Sequence, residues 1–208
     1  MVNLLHKDFI ALKSSQWMVL LYLVVFSIVF IPKMDMSLYF IGIYTAFGSI
    51  MLATMVDIKN NNYKFLITLP ISRKHIVRAK YLTAVLYTLF GFLASIIIHW
   101  ICSLAIPQLN KPEVTIWGVL LAIGMVLVLI SIYMPLFYAL SKKGAGVINA
   151  VFLVSMILLA NPAAMLINMM GDNSSSNVRT FLIVCIGILA VFIASYHLTV
   201  YLFKKKDL

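Results

Sequence analysis

The sequence predicts an all-α membrane protein with six transmembrane helices. Of its 208 residues, 63% are hydrophobic and 11% are charged, whereas a soluble domain is about half apolar and about one quarter charged. The apolar residues are gathered into long runs, and a membrane-spanning helix needs about 20 of them. We therefore expect residues 1–208 to form a single transmembrane domain.

The six predicted spans contain no Asp, Glu, Lys or Arg. A charge at mid-membrane costs about 2.5–3.5 kcal/mol on the insertion scale, so this absence supports every span and argues against a buried relay of carboxylates. The first run is followed by Pro32 and Lys33 and not by a small-residue cleavage site, which favours a retained anchor. The spans are residues 14–31, 38–56, 81–106, 116–140, 147–170 and 180–203.

Residues 1–13 are too polar to cross a bilayer. They repeat apolar side chains at Leu5, Phe9 and Leu12, and these i, i+4 and i+7 positions share one face of a helix. The pattern predicts an interfacial helix lying flat on the membrane. A frayed N-terminus is the alternative.

The basic residues predict the orientation of the chain. With the N-terminus inside, thirteen of the sixteen Lys and Arg residues lie on the cytoplasmic side, and Lys33, Lys111 and Arg179 lie outside. This bias places both termini in the cytoplasm of a multi-pass protein of the cell membrane. The net charge of +10 then suits anionic lipid headgroups and not nucleic acid.

A long polar loop, residues 57–80, interrupts the apolar runs. It has six basic residues and one acid, Asp57. Pro70 ends a first element, because the residue before a proline leaves the helical region. Ser72 is a candidate N-cap for a second helix that runs directly into the third span.

The first element of this loop can form about two turns of helix with one apolar face. That face can insert into a groove on a cytosolic partner or lie on the bilayer surface, and the residues alone leave both open. Its apolar side chains are Tyr63, Phe65, Leu66 and Leu69.

Three residues within the spans are candidates for a hinge. Pro135 lies in the fourth span, and Asn161 precedes Pro162 in the fifth. Each proline removes a backbone donor and bends its helix. The bend can be a moving hinge or a static feature.

Small residues four positions apart allow helices to approach closely, within one chain or between chains. Gly91 and Ser95 form one such pair, and Ala190 and Ala194 form another.

Motifs for catalysis are missing from the sequence. There is no GxxxxGK[ST] phosphate loop, no HExxH, no CxxC and no GxSxG. We therefore expect no enzyme activity, no metal site and no cofactor bound by this chain. If energy is used, another chain supplies it.

The run KFLITLPISRKHIVRAKYL, residues 64–82, resembles a signature of small ABC type-2 permeases of Gram-positive bacteria, FLxTLPxSRxxIVxxKYL. The six spans, the amphipathic N-terminal segment and the cytoplasmic termini agree with that family. In size and plan the chain is similar to the permeases of peptide exporters, such as the phenol-soluble-modulin exporter.

This resemblance implies one membrane half of an ATP-driven exporter. Two permease chains, expected to be identical, would form the pathway, and separate cytosolic ATPase subunits would bind ATP and magnesium. Residues 63–70 would be the coupling helix that docks on the ATPase. The implied docking residues are Tyr63, Phe65, Leu66, Leu69, Pro70, Arg73 and Lys74.

The resemblance also matches Lys80 to a basic residue that contacts the ATPase or the headgroups. Spans without charges suit amphipathic cargo, such as peptides or lipid-like molecules, better than small ions. Two rival functions stay open: a non-transporting anchor or immunity-type protein that holds a cytosolic factor through the same loop, and a secondary transporter.

Overall fold

A computed structural model describes residues 16–33, 36–60, 72–105, 115–139, 144, 146–156 and 178–205. Within these ranges every regular element is an α-helix, which confirms the predicted all-α class. We number the helices in chain order: α1 Gln16–Phe30, α2 Ser37–Lys59, α3 Arg73–Ala105, α4 Ile116–Ala139, α5 Gly146–Met156 and α6 Val178–Lys205.

Four of these helices are long and apolar enough to cross a membrane: α2, α3, α4 and α6. Helices α1 and α5 are apolar but shorter over their described residues. The structure thus confirms a multi-helix membrane protein, and the exact count of six spans stays a prediction. The N-terminal interfacial segment 1–13, with Leu5, Phe9 and Leu12, lies outside the described residues, as do Asn161 and Pro162.

Helix α3 begins eight residues before the span predicted from residue 81. Its first turn starts after Ser72, whose carbonyl accepts the N–H groups of His75 (2.9 Å) and Ile76 (3.4 Å). This confirms Ser72 as the start of a helix that continues into the span. The predicted span starts at residue 81 because charged residues precede it. The backbone hydrogen bonds of the helix continue through those charged residues, so the helix itself starts earlier.

Helix α2 is the most enclosed of the four spanning helices and packs against α1, α3 and α4. Its contact with α3 is very close, because a Cβ atom added to Gly91 would stand 2.7 Å from the backbone nitrogen of Ala46. About one turn further along α3, Ser95 Oγ donates to the carbonyl of Leu38 at 2.6 Å. The small pair Gly91 and Ser95 thus forms a close contact within the chain, as the spacing allows.

Helix α6 lies against α4 and α3 and is mostly exposed. Its contacts with α4 include an edge-to-face pair of Trp117 and Phe181, with ring centroids 4.7 Å apart. The other small pair, Ala190 and Ala194, lies on the exposed side of α6. It makes no comparable close contact with the described part of the chain.

Candidate functional site

The base of the 57–80 loop is held by a buried ion pair between α2 and α3. The ammonium of Lys80 contacts a carboxylate oxygen of Asp57, and only 8% and 10% of the two side chains is exposed. A buried charge is costly unless it is paired. The pair therefore fixes the end of α2 against the second turn of α3.

This pair corrects the role expected for Lys80. The resemblance matched Lys80 to a residue that contacts the ATPase or the headgroups, but its side chain is turned inward to Asp57. The expectation is wrong because Lys80 lies on the face of α3 that meets α2, whereas Lys74 and Arg78 of the same polar run lie on the exposed face. The two partners are 23 residues apart, so the sequence spacing alone gives no sign of the contact.

Arg73, the first residue of α3, joins the loop base to the end of α6. Its Nη1 donates to the carbonyl oxygens of Phe203 at 2.9 Å and Lys204 at 3.0 Å. The guanidinium also lies 5.8 Å from the centroid of the Phe203 ring. The last carbonyls of a helix lack intrahelical donors and form its negative end, so a cation stabilises them.

The predicted docking side chains themselves lie outside the described residues: Tyr63, Phe65, Leu66, Leu69 and Pro70. The structure describes both ends of that segment. α2 ends at Lys59, and the N–H of Asn60 donates to the carbonyl of Val56 at 3.0 Å. On the other side, Lys74 is exposed in the first turn of α3. The docking role of these residues stays a prediction.

A polar cluster surrounds Pro135 in α4. A proline cannot donate to the carbonyl four residues earlier, which here belongs to Ser131. Ser195 of α6 donates its hydroxyl to that carbonyl at 2.6 Å. In a membrane such a freed carbonyl has to be satisfied by a neighbour, and α6 supplies the donor.

A tyrosine of α3 completes this cluster. The hydroxyl of Tyr81 lies 2.7 Å from Ser195 Oγ and 2.8 Å from Thr199 Oγ1. Three helices thus meet through hydroxyl groups at the proline. A hinge motion at Pro135 would have to break the hydrogen bond from Ser195 or move Ser195 together with α4. The hinge stays a prediction.

A second buried cluster joins α2, α4 and α5. The hydroxyl of Tyr133 donates to Asn149 Oδ1 at 2.7 Å and lies 2.6 Å from Thr54 Oγ1. The ring of Tyr133 meets Phe47 and Phe152 edge to face. Hydrogen-bonded polar groups of this kind hold membrane helices together. Neither cluster contains a charged side chain.

An apolar cavity of about 260 Å³ lies between α1, α2 and α5. Three of its nine lining residues are methionines, which adapt to irregular shapes. Its size and lining suit an alkyl or aromatic group and not an ion. The lining residues are Tyr22, Phe26, Tyr44, Gly48, Met51, Leu52, Met55, Leu153 and Met156.

Clusters of metal-ligating side chains are missing from the described part of the chain. It contains no group of three or more His, Cys, Asp or Glu residues able to hold a metal ion. The polar contacts between its helices include an ion pair, hydroxyl clusters, and a 2.8 Å hydrogen bond between Ser37 Oγ of α2 and His99 Nε2 of α3. Together they define a helical membrane subunit built around helix contacts.

Comparison with known proteins identifies the class more closely. A family model described as ABC-2 family transporter protein matches residues 3–204, and the chain belongs to this family. It is therefore a transporter membrane subunit, of a type that is normally not itself catalytic and that associates with an ABC ATPase. Searches of curated proteins and of solved structures found no match.

Proposed function

We propose that this chain is the permease of an ATP-driven exporter that moves amphipathic cargo, a peptide or a lipid-like molecule, out of the cell. A separate cytosolic ATPase holds ATP and magnesium and docks on the 57–80 loop. A second, identical permease chain completes the pathway. Both termini and this loop face the cytoplasm of the cell membrane.

The observation that carries this proposal is the double attachment of the loop base. The Asp57–Lys80 pair connects α2 to α3, and Arg73 connects α3 to the end of α6. A pull on the segment between Asn60 and Ser72 would therefore act on three helices together. Closure of an ATPase dimer would supply that pull and shift the permease between two states.

The cargo class is supported by what the described helices offer inside the membrane. The cavity between α1, α2 and α5 is apolar, and the two internal clusters carry hydroxyl and amide groups without a charge. Such surfaces bind apolar chains and neutral polar groups better than ions. An ion current through the purified protein would contradict this part of the proposal.

The docking role is tested by the double substitution Phe65→Asp and Leu69→Asp, which places charges on the apolar face. We expect the co-expressed ATPase to co-purify at no more than about one tenth of the wild-type ratio, the effect of about 1.4 kcal/mol lost. The control is Asn61→Asp with Asn62→Asp, which adds two charges to the same loop and removes no apolar side chain. The control should keep the ATPase.

The same preparations give the decisive outcome. If the Phe65→Asp, Leu69→Asp variant keeps the ATPase at the wild-type ratio and runs as the same monodisperse species, the loop is not the docking site. In proteoliposomes, ATP hydrolysis by the complex should rise with an amphipathic helical peptide. It should not rise with a scrambled, non-amphipathic peptide of the same composition.

A further inference from the structure

Helix α3 is too long to lie wholly within hydrocarbon. Its 33 residues extend over about 50 Å at 1.5 Å per residue, whereas the hydrocarbon core of a bilayer is about 30 Å thick. The apolar part begins at Tyr81, so the preceding turns, from Arg73 to Lys80, stand at the depth of the lipid headgroups. Four basic residues occupy those turns.

These four basic residues divide into two pairs with different surroundings. Arg73 and Lys80 are engaged inside the protein, with the end of α6 and with Asp57. Lys74 and Arg78 are exposed, and neither forms an ion pair with the part of the chain that the structure describes. They stand four residues apart, on one face of the helix.

The face that carries Lys74 and Arg78 continues into the membrane as an exposed apolar stripe. Spacings of three and four residues keep the stripe on the side of α3 turned away from the other helices. Its members are Leu82, Leu86, Leu89, Leu93 and Ile97, with exposed fractions between 36% and 60%. Two cations thus stand at headgroup depth directly beside a surface suited to acyl chains.

Nothing acidic competes for this pair of cations within the described residues. The one acid there is Asp57, whose carboxylate pairs with Lys80 between the helices. A phosphate carries the complementary charge, and a phospholipid places it next to chains that cover leucines. A cytosolic acidic protein would match the charge but not the stripe.

We propose that Lys74 and Arg78, with Leu82 and Leu86, form a binding site for one anionic phospholipid in the leaflet at the N-terminal end of α3. The phosphate contacts the two cations, and an acyl chain runs along the leucines. The site needs lipid but not the ATPase, and it assigns Lys74 to lipid in place of the ATPase contact that the resemblance implies. Its failure and the failure of the proposed function are therefore separable.

The test compares two double substitutions that remove equal charge. Lys74→Gln with Arg78→Gln removes the proposed site. The control, Lys204→Gln with Lys205→Gln, removes two exposed lysines at the end of α6, outside the stripe. Phosphatidylglycerol and phosphatidylcholine are titrated separately into delipidated protein, and bound lipid is counted by native mass spectrometry.

We expect wild-type protein and the control to bind one phosphatidylglycerol about 25-fold more tightly than phosphatidylcholine, at about fivefold for each cation. The Lys74→Gln, Arg78→Gln variant should lose this preference while keeping its affinity for phosphatidylcholine. Glycerol 3-phosphate, a headgroup without chains, should not displace the bound lipid at millimolar concentration.

Three outcomes would overturn the site. If both double variants lost the preference for phosphatidylglycerol equally, that preference would come from diffuse surface charge. Displacement by glycerol 3-phosphate would indicate a site for a free phosphate. A Lys74→Gln, Arg78→Gln variant that keeps its lipid preference but loses the co-purifying ATPase would identify the pair as a protein contact. Unchanged melting in phosphatidylcholine nanodiscs serves as the folding control.

Discussion

Helices α2 and α6 show opposite relations between hydropathy and burial. In an apolar 18-residue stretch of α2, with a mean hydropathy of 1.6, 78% of the residues are buried. In the corresponding stretch of α6 the mean hydropathy is 2.4, but only 6% of the residues are buried. In water the more apolar helix would be the more buried one. Lipid solvates apolar side chains, so small residues and polar bonds decide which helix lies inside.

The largest expected effect comes from the loop base, where α2 is most tightly fixed. Lys80→Met should lower the free energy of unfolding by about 3–5 kcal/mol, because it removes the cation from a buried carboxylate. The matched control is Lys74→Met, the same change on the exposed face of α3. Thermal unfolding in detergent, followed by intrinsic fluorescence, measures both.

The ion pair itself also allows a sharper test. Asp57→Asn combined with Lys80→Met removes both charges and should recover most of the lost stability, because no uncompensated charge is left. Two results would contradict a role of the buried pair in holding α2 to α3. Lys80→Met would have the same melting temperature as Lys74→Met, or the double variant would be no more stable than Lys80→Met.

An intermediate effect on the free energy of unfolding is expected from glycine-to-alanine substitutions, one at the contact between α3 and α2 and one in α6. Gly91→Ala would press a methyl group onto the backbone of Ala46, and overpacking of this kind costs about 1–3 kcal/mol. Gly187→Ala in α6 meets nothing within 4 Å and should gain up to about 1 kcal/mol, since Ala favours helix over Gly.

Melting temperatures of these two glycine variants, measured side by side in one detergent, check the comparison. Equal destabilisation would mean that α6 is as closely packed as α2 in the folded protein. A packed partner on α6, such as a second chain, would have that effect. Repeating the measurement on protein diluted until it is monomeric would separate the two cases.

The smallest effect concerns the hydrogen bond from Ser195 of α6 to the Ser131 carbonyl of α4. Ser195→Ala removes the donor that satisfies the Ser131 carbonyl and should cost about 0.6–1.7 kcal/mol, the range for hydrogen bonds between membrane helices. In a Pro135→Ala background the helix supplies its own N–H, so the same change should cost less. The four variants of a double-mutant cycle measure the difference.

Ser131→Ala is the matched control for this cycle. Its hydroxyl donates to the carbonyl of Leu127 in its own helix at 2.8 Å, so its loss should leave the contact with α6 unchanged. Additive effects of Ser195→Ala and Pro135→Ala would contradict a shared carbonyl.

The sequence predicted the features that depend on local pattern. The apolar runs predicted the four long helices α2, α3, α4 and α6. Ser72 predicted the start of α3, and the spacing of Gly91 and Ser95 predicted a close helix contact. Each follows from residues within a few turns of one another. Hydropathy places the start of the third span at Tyr81, but the helix itself begins at Arg73, because backbone hydrogen bonding continues through charged residues.

The features that depend on packing could not be predicted. Lys80 meets Asp57 only because α2 and α3 lie side by side, and Ser195 meets Ser131 across 64 residues. One signal was available in principle for the second contact: a proline inside a span requires a donor from elsewhere. Nothing in the sequence says which of the many Ser and Thr residues supplies it.

The bond from Arg73 has a consequence for how the protein is made. Its acceptors, the carbonyls of Phe203 and Lys204, are synthesised 130 and 131 residues after it. The loop base is therefore completed late, after α4, α5 and α6 have left the ribosome. A partner that recognises this base would bind chains in which α6 has been made and packed, and would pass over chains that lack it.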